Sequence, residues 1–262
     1  MKALSQKRRH PLAAIALLLM GLLLTGGLYA VATTVNEAKA STTNFSASDV
    51  EEGEKLFEAN CATCHGMGAG GTQDGPSLVG VGAAAVDFQV GTGRMPMQMN
   101  GPQAYEKPAQ FNEQQTHQLS AYVASLGAGP AIPEAALLDE QGDAAKGGEL
   151  FRTNCAMCHN AAAAGGALTR GKFAPALADT SGKHIYEAMA TGPQNMPVFS
   201  DSNITPEGKR DIITFLKQIE STGSPGGADL GALGPVSEGL FVWIAGLGVI
   251  IAFTIWLTSR TS

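Results

Sequence analysis

Apolar residues are concentrated towards the two ends of this 262-residue chain. Leu12 to Val31 runs without a charge, and so does Leu240 to Leu257, which carries Trp243 and Trp256 near its ends. At about 1.5 Å of rise per residue, each run is long enough, as a helix, to cross roughly 30 Å of hydrocarbon. Lys2, Lys7, Arg8 and Arg9 precede the first run and Arg260 follows the second, so both termini are expected in the cytoplasm and the intervening chain outside. Ala38-Lys39-Ala40 resembles a small-residue cleavage site, yet the first run is longer than a signal-peptide core of about 7–15 residues, so a retained anchor is expected.

Between the spans the periodicity is helical. Asn112-Glu113-Gln114-Gln115 has the form of a capping box and opens a helix carrying Leu119, Tyr122, Val123 and Leu126 on one face, which Gly127 ends. Thr205-Pro206-Glu207 places an N-cap and a first-turn proline before Ile212, Ile213, Phe215, Leu216 and Ile219. Shorter helical patterns hold Leu56-Phe57 and Leu150-Phe151, each aromatic being placed to pack on a neighbouring helix. No stretch alternates as a strand would. Gly66 to Gly93, rich in Gly, Ala and Pro, reads as a loop wrapped around something other than its own side chains.

The helical patterns recur in order. Gly53-Glu54-Lys55-Leu56-Phe57-Glu58-Ala59-Asn60 leads into Cys61-Ala62-Thr63-Cys64-His65, and Gly147-Gly148-Glu149-Leu150-Phe151-Arg152-Thr153-Asn154 leads into Cys155-Ala156-Met157-Cys158-His159. Downstream, Gly75-Pro76-Ser77-Leu78 answers to Ala174-Pro175-Ala176-Leu177, and Gly93-Arg94-Met95-Pro96 to Gln194-Asn195-Met196-Pro197. The two Cys-x-x-Cys-His motifs use all four cysteines. This is the pattern of covalent haem c attachment, with Cys61, Cys64, Cys155 and Cys158 as thioether sites and His65 and His159 as iron ligands. A zinc site has no need of a histidine after each second cysteine, and a thioredoxin-like dithiol needs a βαβ setting that the pattern lacks. With aromatic residues at only 6%, each unit is short of large core side chains, so the porphyrin is expected to complete its core.

An iron held by one histidine needs a sixth ligand, and a methionine thioether favours the ferrous state and raises the potential. Met196, followed by Pro197, is the candidate in the second unit. In the first, Met95, Met97 and Met99 compete, and Met95 is preferred because it shares the Met-Pro sequence. His184 is a lesser alternative to Met196; His10 and His117 read as a basic-tail residue and a polar helix-face residue. The Pro76 and Pro175 carbonyls are placed to accept from the outer N–H of each haem histidine, or simply to sit in turns.

Charge narrows the partners. Ser41 to Asp229 holds twenty-one Asp and Glu against eleven Lys and Arg, which argues against nucleic acid. The clusters Asp49, Glu51, Glu52, Glu54, Glu58 and Asp139, Glu140, Asp143 could steer a basic redox partner or serve only as solvated faces.

The expected fold is mainly α, with two tandem class I cytochrome c domains between two transmembrane helices. By residue number it runs 1–10 cytoplasmic, 11–32 transmembrane or signal anchor, 33–48 linker, 49–127 first domain, 128–142 linker, 143–222 second domain, 223–238 linker, 239–258 transmembrane and 259–262 cytoplasmic. The two haem motifs, Gly91-Thr92-Gly93-Arg94-Met95-Pro96, Thr191-Gly192-Pro193-Gln194-Asn195-Met196-Pro197-Val198-Phe199 and a membrane helix at each end together resemble the dihaem cytochrome c subunit of the actinobacterial cytochrome bcc complex. The resemblance covers nearly the whole chain. It implies two haem c groups and membership of a bc1-type quinol–cytochrome c reductase in the cell membrane, with a cytochrome b subunit and a Rieske iron–sulfur protein as partners. Electrons would pass from the Rieske centre through this chain to a cytochrome aa3 oxidase. The chain would have no catalytic site of its own. The competing readings are a membrane-bound dihaem carrier serving an extracytoplasmic dehydrogenase and a dihaem peroxidase, the latter disfavoured by the paired Met-Pro loops.

Overall fold

The computed structural model describes residues 15–27, 45–99, 101–222 and 239–259. The basic N-terminal run with His10, the Ala38-Lys39-Ala40 site, Arg260 and nearly all of the expected linkers before the first domain and after the second lie outside those residues. The N-terminal unit is represented by one apolar helix, α1 (Ile15–Gly27).

The remainder, from Phe45 onward, is mainly helical and carries the repeat. Helix α2 (Ala47–Asn60) starts on a full capping box between Ser46 and Asp49, and the one-turn α3 (Ala62–His65) carries the first motif. Helices α4 (Ala83–Gly91) and α5 (Glu113–Ser125) complete the first unit. The second repeats the order with α6 (Ala144–Asn154), α7 (Ala156–His159), α8 (Gly182–Thr191) and α9 (Pro206–Thr222). Helix α10 (Gly239–Ser259) is long and apolar enough to cross a membrane, and among the described residues no other helix is.

The caps read from the sequence form as expected. Asn112 accepts from the Gln115 N–H while the Gln115 side chain accepts from the Asn112 N–H. Thr205 Oγ1 accepts from the Gly208 N–H, and Pro206 stands at the first helical position, where a missing N–H costs nothing.

Two expectations need correcting. The stretch from Gly66 to Gly93 is not all loop, because α4 forms inside it. Ala83, Ala84, Val86, Asp87, Phe88 and Val90 are all buried, so this helix lacks the polar face whose period would have revealed it. The second unit also contains a two-strand ribbon, β1 (Gly166–Ala167) antiparallel to β2 (Phe173–Ala174), paired Gly166 to Ala174 and Ala167 to Phe173. Strands of two residues are too short to show alternation.

Each unit has its own apolar core. In the first, Phe57, Leu119, Tyr122 and Val123 bring α2 and α5 together, with the Phe57 and Tyr122 rings 5.2 Å apart. In the second, Phe151, Ile212, Ile213 and Leu216 join α6 to α9, and Phe151 lies 5.6 Å from the Phe215 ring. The helix pairs approach closely because both repeats place glycine at the crossing. A Cβ on Gly53 would lie 1.9 Å from the Gln118 carbonyl oxygen, and one on Gly147 would lie 1.9 Å from that of Asp211.

Candidate functional site

Each Cys-x-x-Cys-His motif begins where a helix ends. The Cys61 N–H donates to the Phe57 carbonyl at 2.7 Å and the Cys155 N–H to the Phe151 carbonyl at 2.8 Å, so a buried aromatic one turn earlier fixes where each motif starts. The next residues trace matching turns. The Gly71 N–H donates to the His65 carbonyl at 2.8 Å, and the Gly165 N–H to that of His159 at 2.9 Å. The Leu78 N–H donates to Ala69 and the Leu177 N–H to Ala163, at 2.8 and 2.9 Å. Gly71 and Gly165 both have positive φ, +88° and +79°, and a side chain on either would collide with the backbone carrying the following proline.

These turns aim the histidines. His65 Nδ1 lies 2.7 Å from the Pro76 carbonyl oxygen, and His159 Nδ1 lies 2.9 Å from that of Pro175. A carbonyl can only accept, so Nδ1 carries the proton in both rings and Nε2 keeps its lone pair for a metal. The role read for both prolines is therefore present in the geometry. At Gly75 a Cβ would lie 2.7 Å from the Cys64 carbonyl oxygen and 3.1 Å from His65 Nδ1, so this turn can close on its histidine only as glycine. The second unit reaches its proline by a longer path, with the β1–β2 ribbon between. His159 is buried, and burial depresses its pKa, which keeps the ring in the neutral form that binds iron.

The methionines separate by position. Met95 packs against the first core and Met196 against the second, whereas Met97 and Met99 are exposed. Gly93, at φ +67°, lies so close to the Lys107 carbonyl that a Cβ would meet its oxygen at 2.0 Å. Gly192, at φ +61°, is similarly confined by Met196 and Val198. A restricted glycine thus precedes each Met-Pro pair. None of the four cysteines is in a disulfide, and burial first, then the neighbouring cysteine, pushes the Cys61 and Cys155 thiols up to about 11. Neither is the activated thiolate that a redox dithiol uses. This donor set fits covalent haem c: paired thiols, an oriented imidazole and a half-buried thioether in each unit.

The remaining histidines take other places. His117 Nδ1 lies 3.9 Å from Asp49 Oδ1, and His184 faces α4 with Nε2 3.9 Å from Asp87 Oδ2. Several acidic residues read as a steering surface are engaged internally. Glu51 and Glu52 pair with Lys55, Asp139 with Arg210, and Asp143 caps α6. Sequence reasoning missed the contact between the two units, where Asp87, Lys183 and Glu187 meet. A lysine and two acids on helices look like solvated faces, and no local signal marks them otherwise. Burial, then the nearby Asp87 carboxylate, pushes the Glu187 carboxyl up to about 10.

The chain matches the family described as "Cytochrome C oxidase, cbb3-type, subunit III" twice, over residues 48–123 and 142–216. It is 45% identical to the cytochrome bc1 complex cytochrome c subunit of Corynebacterium efficiens, over 98% of this chain and 92% of that protein. The protein of the same description from Mycobacterium tuberculosis is 41% identical over 98% of this chain and 94% of its own length. A cbb3-type cytochrome c oxidase subunit FixP from Sinorhizobium medicae is 34% identical, but over only half of this chain. The twofold family match coincides with the structural repeat, and cytochrome c domains carry covalent haem c. On these similarities and the oriented histidines, the chain belongs to the family of cytochrome bc1 complex cytochrome c subunits.

Proposed function

We propose that this chain is the membrane-anchored dihaem electron-transfer subunit of a bc1-type quinol–cytochrome c reductase. It would receive single electrons from a Rieske iron–sulfur protein beside a cytochrome b subunit and deliver them to a cytochrome aa3 oxidase. The observation that carries this reading is the duplicated turn in which a proline carbonyl fixes the haem histidine and a methionine loop packs on the same core. Bound haem c supplies a one-electron iron couple. Cys61, Cys64, Cys155 and Cys158 would hold the two groups covalently, and His65 with Met95 and His159 with Met196 would offer the donors to iron. The Pro76 and Pro175 carbonyls hold the imidazole protons at Nδ1, which sets ring orientation and ligand basicity.

The domains are assigned to 49–127 and 143–222, with Leu137 and Leu138 of the intervening segment also packed on the second core. Helix α10 anchors the chain, and α1 is the described part of a second span, giving a two-pass protein with both termini in the cytoplasm. Tethering both haem units to one anchored chain replaces a diffusive encounter by a local one. The test is a reduced-minus-oxidised visible spectrum of the tagged protein from mildly solubilised membranes. Co-purifying b- and a-type bands support the relay. A c-type band alone, with the other complexes intact elsewhere in the membrane, favours a carrier for a dehydrogenase, and no c-type band overturns haem binding itself.

A further inference from the structure

The contact between the two units contains a group of donors that haem binding does not use. Asp87 on α4 is 5% exposed and Glu187 on α8 is 0% exposed. His184, also on α8, turns its Nε2 toward them. One ligand atom from each of the three residues lies within 4.8 Å of the others. Neither oxygen of Glu187 receives a hydrogen bond, so two fully buried carboxylate oxygens face Asp87 and His184 without a donor of their own. Lys183 is the nearby positive charge, with Nζ 2.6 Å from Asp87 Oδ2, and it serves Asp87 but not Glu187. With both carboxyls ionised, two negative charges against one ammonium would leave one uncompensated. Burying an uncompensated carboxylate is costly enough that a further cation or a proton must be held there.

We propose that Asp87, His184 and Glu187 form a binding site for a divalent cation of the zinc class, bridging the two haem-bearing units. One imidazole and two carboxylates are a donor set suited to such an ion, and three protein ligands leave a fourth position for water. Bond lengths of about 2.0–2.2 Å require the donors to draw closer than they stand, which side-chain torsions of Glu187 and His184 can supply. The Lys183 side chain is 40% exposed and can turn to solvent, after which a dication with two carboxylates and a neutral imidazole leaves no net charge. A proton shared by the two carboxyls would serve the charge but would leave the inward-facing Nε2 without a role. Because α4 and α8 belong to different units, the ion would fix their mutual orientation. The site does not depend on which redox partners the chain serves.

The experiment uses the full-length holoprotein in detergent, purified without chelator and dialysed against buffered zinc chloride, with bound zinc counted by mass spectrometry. One zinc per chain is expected. Glu187→Gln and His184→Ala should each weaken binding by roughly tenfold or more, the loss of one ligand of three, with unchanged haem spectra. Lys183→Met should tighten binding, because it removes the competing ammonium. No stoichiometric zinc, or zinc whose affinity ignores Glu187→Gln and His184→Ala alike, overturns the site. If Glu187→Gln fails to accumulate, His184→Ala and Lys183→Met decide by shifting affinity in opposite directions, and equal affinities in both would sink the idea.

Discussion

Single side chains in this protein carry obligations that their neighbours show. Phe151 is fully buried between α6 and α9, and Phe151→Ala should cost about 3–5 kcal/mol in the folded holoprotein, read as a lowered denaturant midpoint. Lys209 is 1% exposed, with Nζ 2.5 Å from Asp201 Oδ1 and 5.5 Å from the centre of the Tyr186 ring. Asp201 is itself largely exposed, so the two partners are not equivalent. Asp201→Ala strands a buried ammonium and should destabilise by on the order of 1–3 kcal/mol, more than Lys209→Met, which removes the charge that needed a partner. Equal losses from the two variants would show that Lys209 reaches solvent. Met196→Ala should lower the potential of one of two haems in a redox titration, since a neutral thioether favours ferrous iron; an unchanged titration would remove Met196 as a ligand.

Helix pairs set the spacing of the site, and glycines set the spacing of the pairs. Gly53 and Gly147 recur at the same place in the repeat, and the reason is visible only in three dimensions: each lies against the backbone of the closing helix. Gly147→Ala should force α6 from α9 and cost roughly 1–3 kcal/mol by overpacking, although alanine is the better helix former. A thermal shift upward would contradict this. The Asn112 capping box, the proline at the start of α9 and the aromatics before each motif were legible in the sequence, because a cap or an amphipathic stripe is a local pattern; the Ser46–Asp49 box was not read there. Helix α4 was not, since burial on every side erases periodicity, and neither was the β1–β2 ribbon.

The two units are joined by contacts distant in sequence. The Gln103 amide donates to the Phe173 carbonyl at 2.9 Å and accepts from its N–H at 3.0 Å, serving as a short peptide strand beside β2. Tyr105 stacks on the Phe173 ring at 5.6 Å. Asp139, between the units, forms a two-pronged pair with Arg210 at 2.6 and 2.8 Å. Hydrogen bonds from Arg210 and then the Gln141 N–H hold its carboxyl below the ordinary 3.8. A depressed folded pKa stabilises above the unfolded value and is lost as pH falls through the folded one. Asp139→Asn should therefore lower stability at neutral pH and flatten the loss between about pH 4 and the acid limit, followed by chemical denaturation across pH. An unchanged acid limb would mean that the pair contributes nothing, as exposed pairs sometimes do.

The sequence alone determined what covalent and local chemistry dictates: the haem motifs, the helices with caps and stripes, the repeat and the C-terminal apolar span. It also favoured Met95 over Met97 and Met99 by analogy with Met196, and of the three Met95 is the one packed on the core. Tertiary structure decided where His184 points, which glycines touch backbone, and that Glu187 is buried beside Asp87 without a hydrogen-bond donor. Those features depend on which surfaces folded helices, within a unit or across two, present to each other. A charged residue on a helix has the same sequence pattern whether it faces water or a second unit, so only the packed chain distinguishes the two.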